Sequence, residues 1–181
     1  MRPWSVMPIK SRIRSISGFP RQGVVFRDIT TLLKDATGFR ITMHKLINRY
    51  SGKKIHKVAA IEPRGFIVGS PLAYALGAGF VPLHTMSKLP FETIGQDYES
   101  ELEAGRIEMD VNAISPGERI LFINDLLASG STSEAACALL RRAGAEILEC
   151  AFIVELTAHG GRGRLQKQGL KIFALTEFEE D

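Results

Sequence analysis

Short apolar runs that alternate with helical stretches constrain this chain more than any other feature. Val58 to Ile61, Phe80 to Leu83, Arg119 to Asn124 and Ile147 to Leu156 read as strands with little polar alternation. A strand of that kind is buried on both faces, which calls for a parallel sheet covered by helices on each side. Between the runs, Gly65 to Leu76 has helical spacing and stops at Gly77, and Thr132 to Ala143 does the same before Gly144. Glycine ends helices readily because it adopts the left-handed conformation without a steric penalty. With 181 residues, 45% of them hydrophobic, the chain has enough apolar side chain for one core. We therefore expect an α/β fold, an open parallel sheet with helices on both faces, in a single domain spanning residues 1–181.

The first fifty residues read differently. Ile9, Ile13 and Ile16 recur at helical intervals among Lys10, Arg12 and Arg14, predicting a short amphipathic helix over Ile9 to Ile16. Gly18 to Gly23 is turn chemistry, Val24 to Phe26 an extended piece, and Thr31 to Lys34 and Thr37 to Tyr50 are helical. Together they make an N-terminal cover segment over the core. The long polar excursion His84 to Pro116 predicts an antiparallel ribbon around Tyr98 to Met109, a flexible flap of the sort that often closes over a ligand.

Charge and composition exclude several classes. The net charge of +3, from 23 basic against 20 acidic residues, is dispersed and argues against nucleic acid as a partner. No apolar run approaches the roughly 20 residues of a membrane helix. The first twenty residues are basic and broken by Pro3, Pro8 and Gly18, unlike a secretory signal, so a cytoplasmic protein without a membrane partner is expected. Cys137 and Cys150 fall in apolar patterns and read as buried thiols. His44, His56, His84 and His159 lack ligand spacing, so no metal site is expected.

The segment Arg119 to Glu134 carries the chemistry. An apolar strand runs into Asn124-Asp125, then into the small-residue loop Ala128-Ser129-Gly130-Ser131-Thr132 at the head of a helix. Helix N-terminal amides lack partners and sit at the positive end of the macrodipole, so phosphate is stabilised there. Gly130 permits close backbone approach, and Ser129, Ser131 and Thr132 add hydroxyl donors. Ligands of open parallel sheets also gather beyond the carboxyl ends of the strands. The plainer alternative is a capping box between Ser131 and Glu134, with Asp125 only starting a turn. A Walker loop is excluded because its Gly-x-x-x-x-Gly-Lys spacing is missing.

This stretch resembles the phosphoribosyl-diphosphate signature of the type I phosphoribosyltransferases. Phe19 to Thr30, Arg64-Gly-Phe66 and Lys88-Leu-Pro90 narrow the resemblance to the adenine phosphoribosyltransferases, and it covers almost the whole chain. It implies a type I phosphoribosyltransferase-like sheet and purine salvage, in which adenine and phosphoribosyl diphosphate give AMP and pyrophosphate. Magnesium would be carried with the diphosphate, and the protein would be a homodimer. Carried over by position, Asn124, Asp125, Ala128, Ser129, Gly130, Ser131 and Thr132 would bind the phosphoribosyl group. Val25, Phe26, Arg27 and Leu126 would bind adenine, Arg64 and Lys88 the pyrophosphate, and Glu101 would be the acid–base residue.

The chain departs from the family pattern around the transferring groups. His84-Thr85 stands where Arg-Lys is usual, Asn124 replaces the first of two acids, and Leu102-Glu103 replaces Tyr-Gly. An imidazole is only partly cationic near neutral pH, so contacts to the diphosphate are weakened. Two readings follow: a salvage enzyme, and a weakened or inactive relative that binds AMP or a related nucleotide as a sensor or partner subunit.

Overall fold

The computed structural model describes residues 8–18, 22, 25–85, 89–99 and 104–179. The first described residues form a single 3-10 turn, Ile9–Arg12, followed by strand β1 (Arg14–Ser17), which pairs antiparallel with β2 (Val25–Asp28). The amphipathic helix expected over Ile9 to Ile16 therefore ends after one turn. Ile9 and Ile13 are buried as the spacing implied, but the residues beyond Ile13 find tertiary partners that a helix would deny them. Arg14 binds Asp28 across the ribbon, its N–H donates to Thr31 Oγ1 at 3.1 Å, and Ser15 Oγ accepts from Arg27 at 2.5 Å.

Next come a single helical turn, α1 (Thr30–Leu33), and the long helix α2 (Ala36–Tyr50). Asp35 caps α2 by accepting from the Thr37 N–H at 3.1 Å and is paired with Arg12, satisfying an amide that the helix itself leaves open. At its other end Arg49 donates twice to Glu149, each bond 2.8 Å, and the buried Tyr50 hydroxyl donates at 2.6 Å. Burial pushes the Glu149 carboxyl up, yet these donors outweigh it and leave its pKa lowered.

The remaining elements alternate as expected: β3 (Lys57–Ile61), α3 (Arg64–Leu76), β4 (Gly79–Leu83), the ribbon β5 (Thr93–Glu99) and β6 (Ala104–Asp110), then β7 (Arg119–Leu127), α4 (Ser131–Arg142) and β8 (Glu146–Leu156). A short helix, α5 (Gly161–Lys167), and a last strand, β9 (Ile172–Phe178), complete them. Among the described residues, five strands form the central sheet in the order β4-β3-β7-β8-β9, all parallel. Gly77 ends α3 with φ 66°.

Successive strand residues face opposite sides, so each strand feeds two cores. Val58, Ala60, Leu121 and Ile123 pack with Met43, Leu46, Val68 and Leu72 of α2 and α3. Ala59, Ile61, Phe122 and Phe152 pack with Ala136, Leu139 and Leu140 of α4. Helices thus cover both faces.

The ribbon predicted around Tyr98 to Met109 is present, and its base is not loose. Ile107 and Met109 are fully buried on the α4 side, and Arg142 donates to the Gly95 carbonyl and to Gln96 Oε1. The tip, with Glu101 and the Leu102-Glu103 departure, lies outside the described residues, as does Lys88.

Candidate active site

β7 extends three residues past the expected end at Asn124, because Leu126 and Leu127 still pair with Val154 and Glu155 of β8. Asp125 is therefore a strand residue and not the start of a turn. Ala128 and Ser129 follow, and Gly130 takes φ 77° as the N-cap of α4, with the Glu134 N–H donating to its carbonyl at 2.8 Å. No side chain caps this helix. The capping-box alternative is thereby excluded: Ser131 is the first helical residue, and Glu134 turns to Arg164 at 3.2 Å and Gln168 at 3.0 Å. Ser131 Oγ lies 3.2 Å from Ser129 Oγ, so the loop hydroxyls cluster where the first amides of α4 lack helical partners.

The loop is set against the first residue of α5 by a contact that needs glycine. A Cβ on Gly161 would fall 2.1 Å from the Ala128 carbonyl oxygen, and one on Gly130 would fall 3.1 Å from Gly161 Cα. Backbone meets backbone here, which holds the loop in place without side chains.

Arg64, the first residue of α3, crosses to the end of β7, where its Nε lies 2.8 Å from Asp125 Oδ2. Its guanidinium also lies over the Phe26 ring, 5.7 Å from the centroid. Asn124 sits beside them: a Cβ on Gly65 would fall 2.6 Å from Asn124 Oδ1. The structure thus brings Phe26, Arg64, Asn124 and Asp125 together at the carboxyl end of β7, next to the loop. Burial raises the pKa of Asp125, with Arg64 opposing it. Leu126 packs at the margin of the core, Val25 pairs with Ser17, and Arg27 is drawn away to Ser15 and Phe178.

His84 and Thr85, in the expected pyrophosphate region, are held by a residue that sequence reasoning missed. Glu62, just past β3, accepts from the Thr85 N–H at 2.8 Å and lies 2.9 Å from His84 Nδ1. The ring of His84 also meets Phe66 edge-on at 5.8 Å. An acid directly after an apolar strand was the available signal for Glu62, and the Gly160-Gly161 pair was the signal for the loop buttress.

Among the described residues no group of three or more His, Cys, Asp or Glu side chains converges on a metal position.

The parallel sheet carries an acid at the end of β7, paired with Arg64, and the Phosphoribosyl transferase domain family matches residues 30–178, which places the chain in a phosphoribosyl-transferring class. The chain is 54% identical over 173 residues to an adenine phosphoribosyltransferase of Nitrosospira multiformis, covering 96% of this chain and 99% of that one. Among solved structures, the adenine phosphoribosyltransferase of Rhodothermus marinus superposes with a TM-score of 0.86 at 39% identity, covering 94% of this chain and 96% of that one. The Giardia lamblia APRTase, solved in complex with 9-deazaadenine, gives 0.90 at 28% identity and covers 96% and 99%. The chain belongs to the adenine phosphoribosyltransferase family.

Proposed function

We propose that this protein, as one domain over residues 1–181, transfers the phosphoribosyl group from phosphoribosyl diphosphate to adenine in purine salvage. The bond from ribose C1 to the diphosphate breaks, a C1–N bond to the purine forms, and AMP and pyrophosphate leave. The observation that carries this reading is the meeting of Arg64, Asp125 and Phe26 beside the amide-rich head of α4. It puts a guanidinium, a carboxylate and an aromatic ring at the end of the strand that leads into the proposed anion cradle. Family membership at 54% identity over nearly the whole chain supports the same activity.

In this reading Ala128 to Thr132 bind the 5-phosphate through backbone amides and hydroxyls, and Asn124 and Asp125 face the ribose hydroxyls. Arg64 and Lys88 stabilise the departing diphosphate, for which guanidinium and ammonium groups are suited. Phe26 and Leu126 flank the adenine, and the backbone of Val25 and Arg27 reads its edge. Glu101, in the segment between β5 and β6, manages the proton of the purine. Magnesium carried with phosphoribosyl diphosphate would supply positive charge against the departing diphosphate, beside Arg64 and Lys88.

We further propose a cytoplasmic homodimer. Ile67 and Tyr74, two turns apart on one face of α3, are 46% and 89% exposed, an apolar stripe that a second copy would cover. No helix among the described residues is long and apolar enough to cross a membrane.

Steady-state assays with Glu101→Gln and with a magnesium chelator test the assignment. Loss of AMP formation in both, with the variant still folded and still binding AMP, supports it. Full activity in Glu101→Gln would remove the acid–base role.

A further inference from the structure

The strand that the proposed function assigns to adenine is not hydrogen-bonded to the central sheet. β2 pairs with β1 in a ribbon of two strands among the described residues, so the pose of Val25 to Arg27 rests on that ribbon, on Asp28 bound to Arg14 and Thr30, and on what their own side chains reach. Neighbouring residues of a strand point to opposite faces. Phe26 is met by Arg64 on one side, which leaves Arg27 to hold the other.

Arg27 reaches the far edge of the sheet. Its guanidinium lies 4.2 Å from the ring centroid of Phe178, the last residue of β9, while Nη1 donates to Ser15 Oγ at 2.5 Å. Lys10 lies over the same ring at 4.7 Å. The ring is only 8% exposed, and the Phe178 carbonyl accepts from Thr157 Oγ1 at 3.2 Å. A cation over an aromatic face is attracted by the ring's π electrons, and here the ring is shielded from water more than the cations are. The end of the last strand is thus a fixed post, and two cations of the N-terminal cover are drawn onto it.

We infer that Phe178 is a positioning residue for the purine base. Through Arg27 it sets the backbone of β2, and so the affinity for adenine, without touching the substrate. This rests on the reading of Val25 to Arg27 as the adenine site. The described residues that the same reading gives to ribose and diphosphate lie on β7, α3 and the α4 loop, and β7 is separated from the strand of Phe178 by β8.

The test is a comparison of Phe178→Leu, Phe178→Tyr and Arg27→Met with the unaltered enzyme. Phe178→Leu keeps apolar bulk and removes the π face. It should raise the KM for adenine about fivefold, the scale of one partly shielded cation–π contact. The KM for phosphoribosyl diphosphate and kcat should stay within about twofold. Phe178→Tyr should restore the adenine KM, and Phe178→Leu combined with Arg27→Met should be no worse than either alone. Equal changes in both KM values, or a folded Phe178→Leu with unchanged adenine KM, would overturn the inference. Phe26→Ala separates the two failures. If it raises the adenine KM while Phe178→Leu does not, the positioning role is wrong and the base site stands; if neither variant changes it, both fall.

Discussion

Arg64 Nε and Asp125 Oδ2 are 2.8 Å apart, joining the first residue of α3 to the carboxyl end of β7. The pair joins a guanidinium and a carboxylate at the place proposed for the ribose and its diphosphate. Charge-assisted contacts of this sort are worth about 1.5–3 kcal/mol, so Arg64→Ala should lower kcat/KM by roughly 10- to 150-fold. Arg64→Lys keeps the charge but loses the planar fork, and should fall between. Steady-state kinetics with phosphoribosyl diphosphate varied will show whether that order holds.

Asp125 is buried, and burial raises its pKa despite Arg64. Its ionised form is therefore disfavoured by folding, a cost that is absent below the ordinary carboxylate pKa and present at neutral pH. Asp125→Asn should abolish most turnover and yet melt at the same temperature or higher. A thermal unfolding scan beside the activity assay checks both halves; a clear drop in Tm would show that the carboxylate is kept for stability.

Asp28 behaves in the opposite way. The Thr30 side-chain hydrogen bond, followed by the Thr30 backbone amide and Arg14, lowers its pKa to about 2 from 3.8, against the pull of burial. Its contribution is complete above the ordinary value and fades as pH falls toward 2. At pH 7, Asp28→Asn should cost about 2 kcal/mol. Denaturant titrations of both proteins should differ by that amount at neutral pH and converge in acid.

Gly161 has no room for a side chain, since a Cβ would meet the Ala128 carbonyl at 2.1 Å. Gly161→Ala should destabilise the fold by about 1–3 kcal/mol and raise the KM for phosphoribosyl diphosphate, because the displaced backbone is that of the loop proposed to bind its 5-phosphate. Gly163, two residues on in α5, has nothing within 4 Å of the point where a Cβ would stand. Gly163→Ala should be neutral or slightly stabilising, and a Gly161→Ala protein that behaved like it would contradict the buttress.

The central sheet was legible because its strands are buried on both faces and read as apolar runs, and because Gly77 marks a helix end that needs no tertiary information. The β1 strand was not, since Ile9, Ile13 and Ile16 fit helical spacing while the deciding partner, β2, is distant in sequence. The end of β7 was misjudged because Asn124-Asp125 interrupts the apolar run although the ladder to β8 continues. Asp125 and Arg64 could each be singled out, but their contact depends on β3 and β7 being neighbours in the sheet. Glu62 holding Thr85 and Arg27 resting on Phe178 likewise join segments that no local pattern relates.

The most direct measurement is AMP formation from adenine and phosphoribosyl diphosphate with magnesium, run in parallel with hypoxanthine and guanine. The account predicts turnover with adenine at a kcat/KM at least about a hundredfold above that of either other base, the scale of discrimination by hydrogen bonds to a purine edge. Turnover favouring hypoxanthine or guanine, or none with any base by a folded protein, would contradict it.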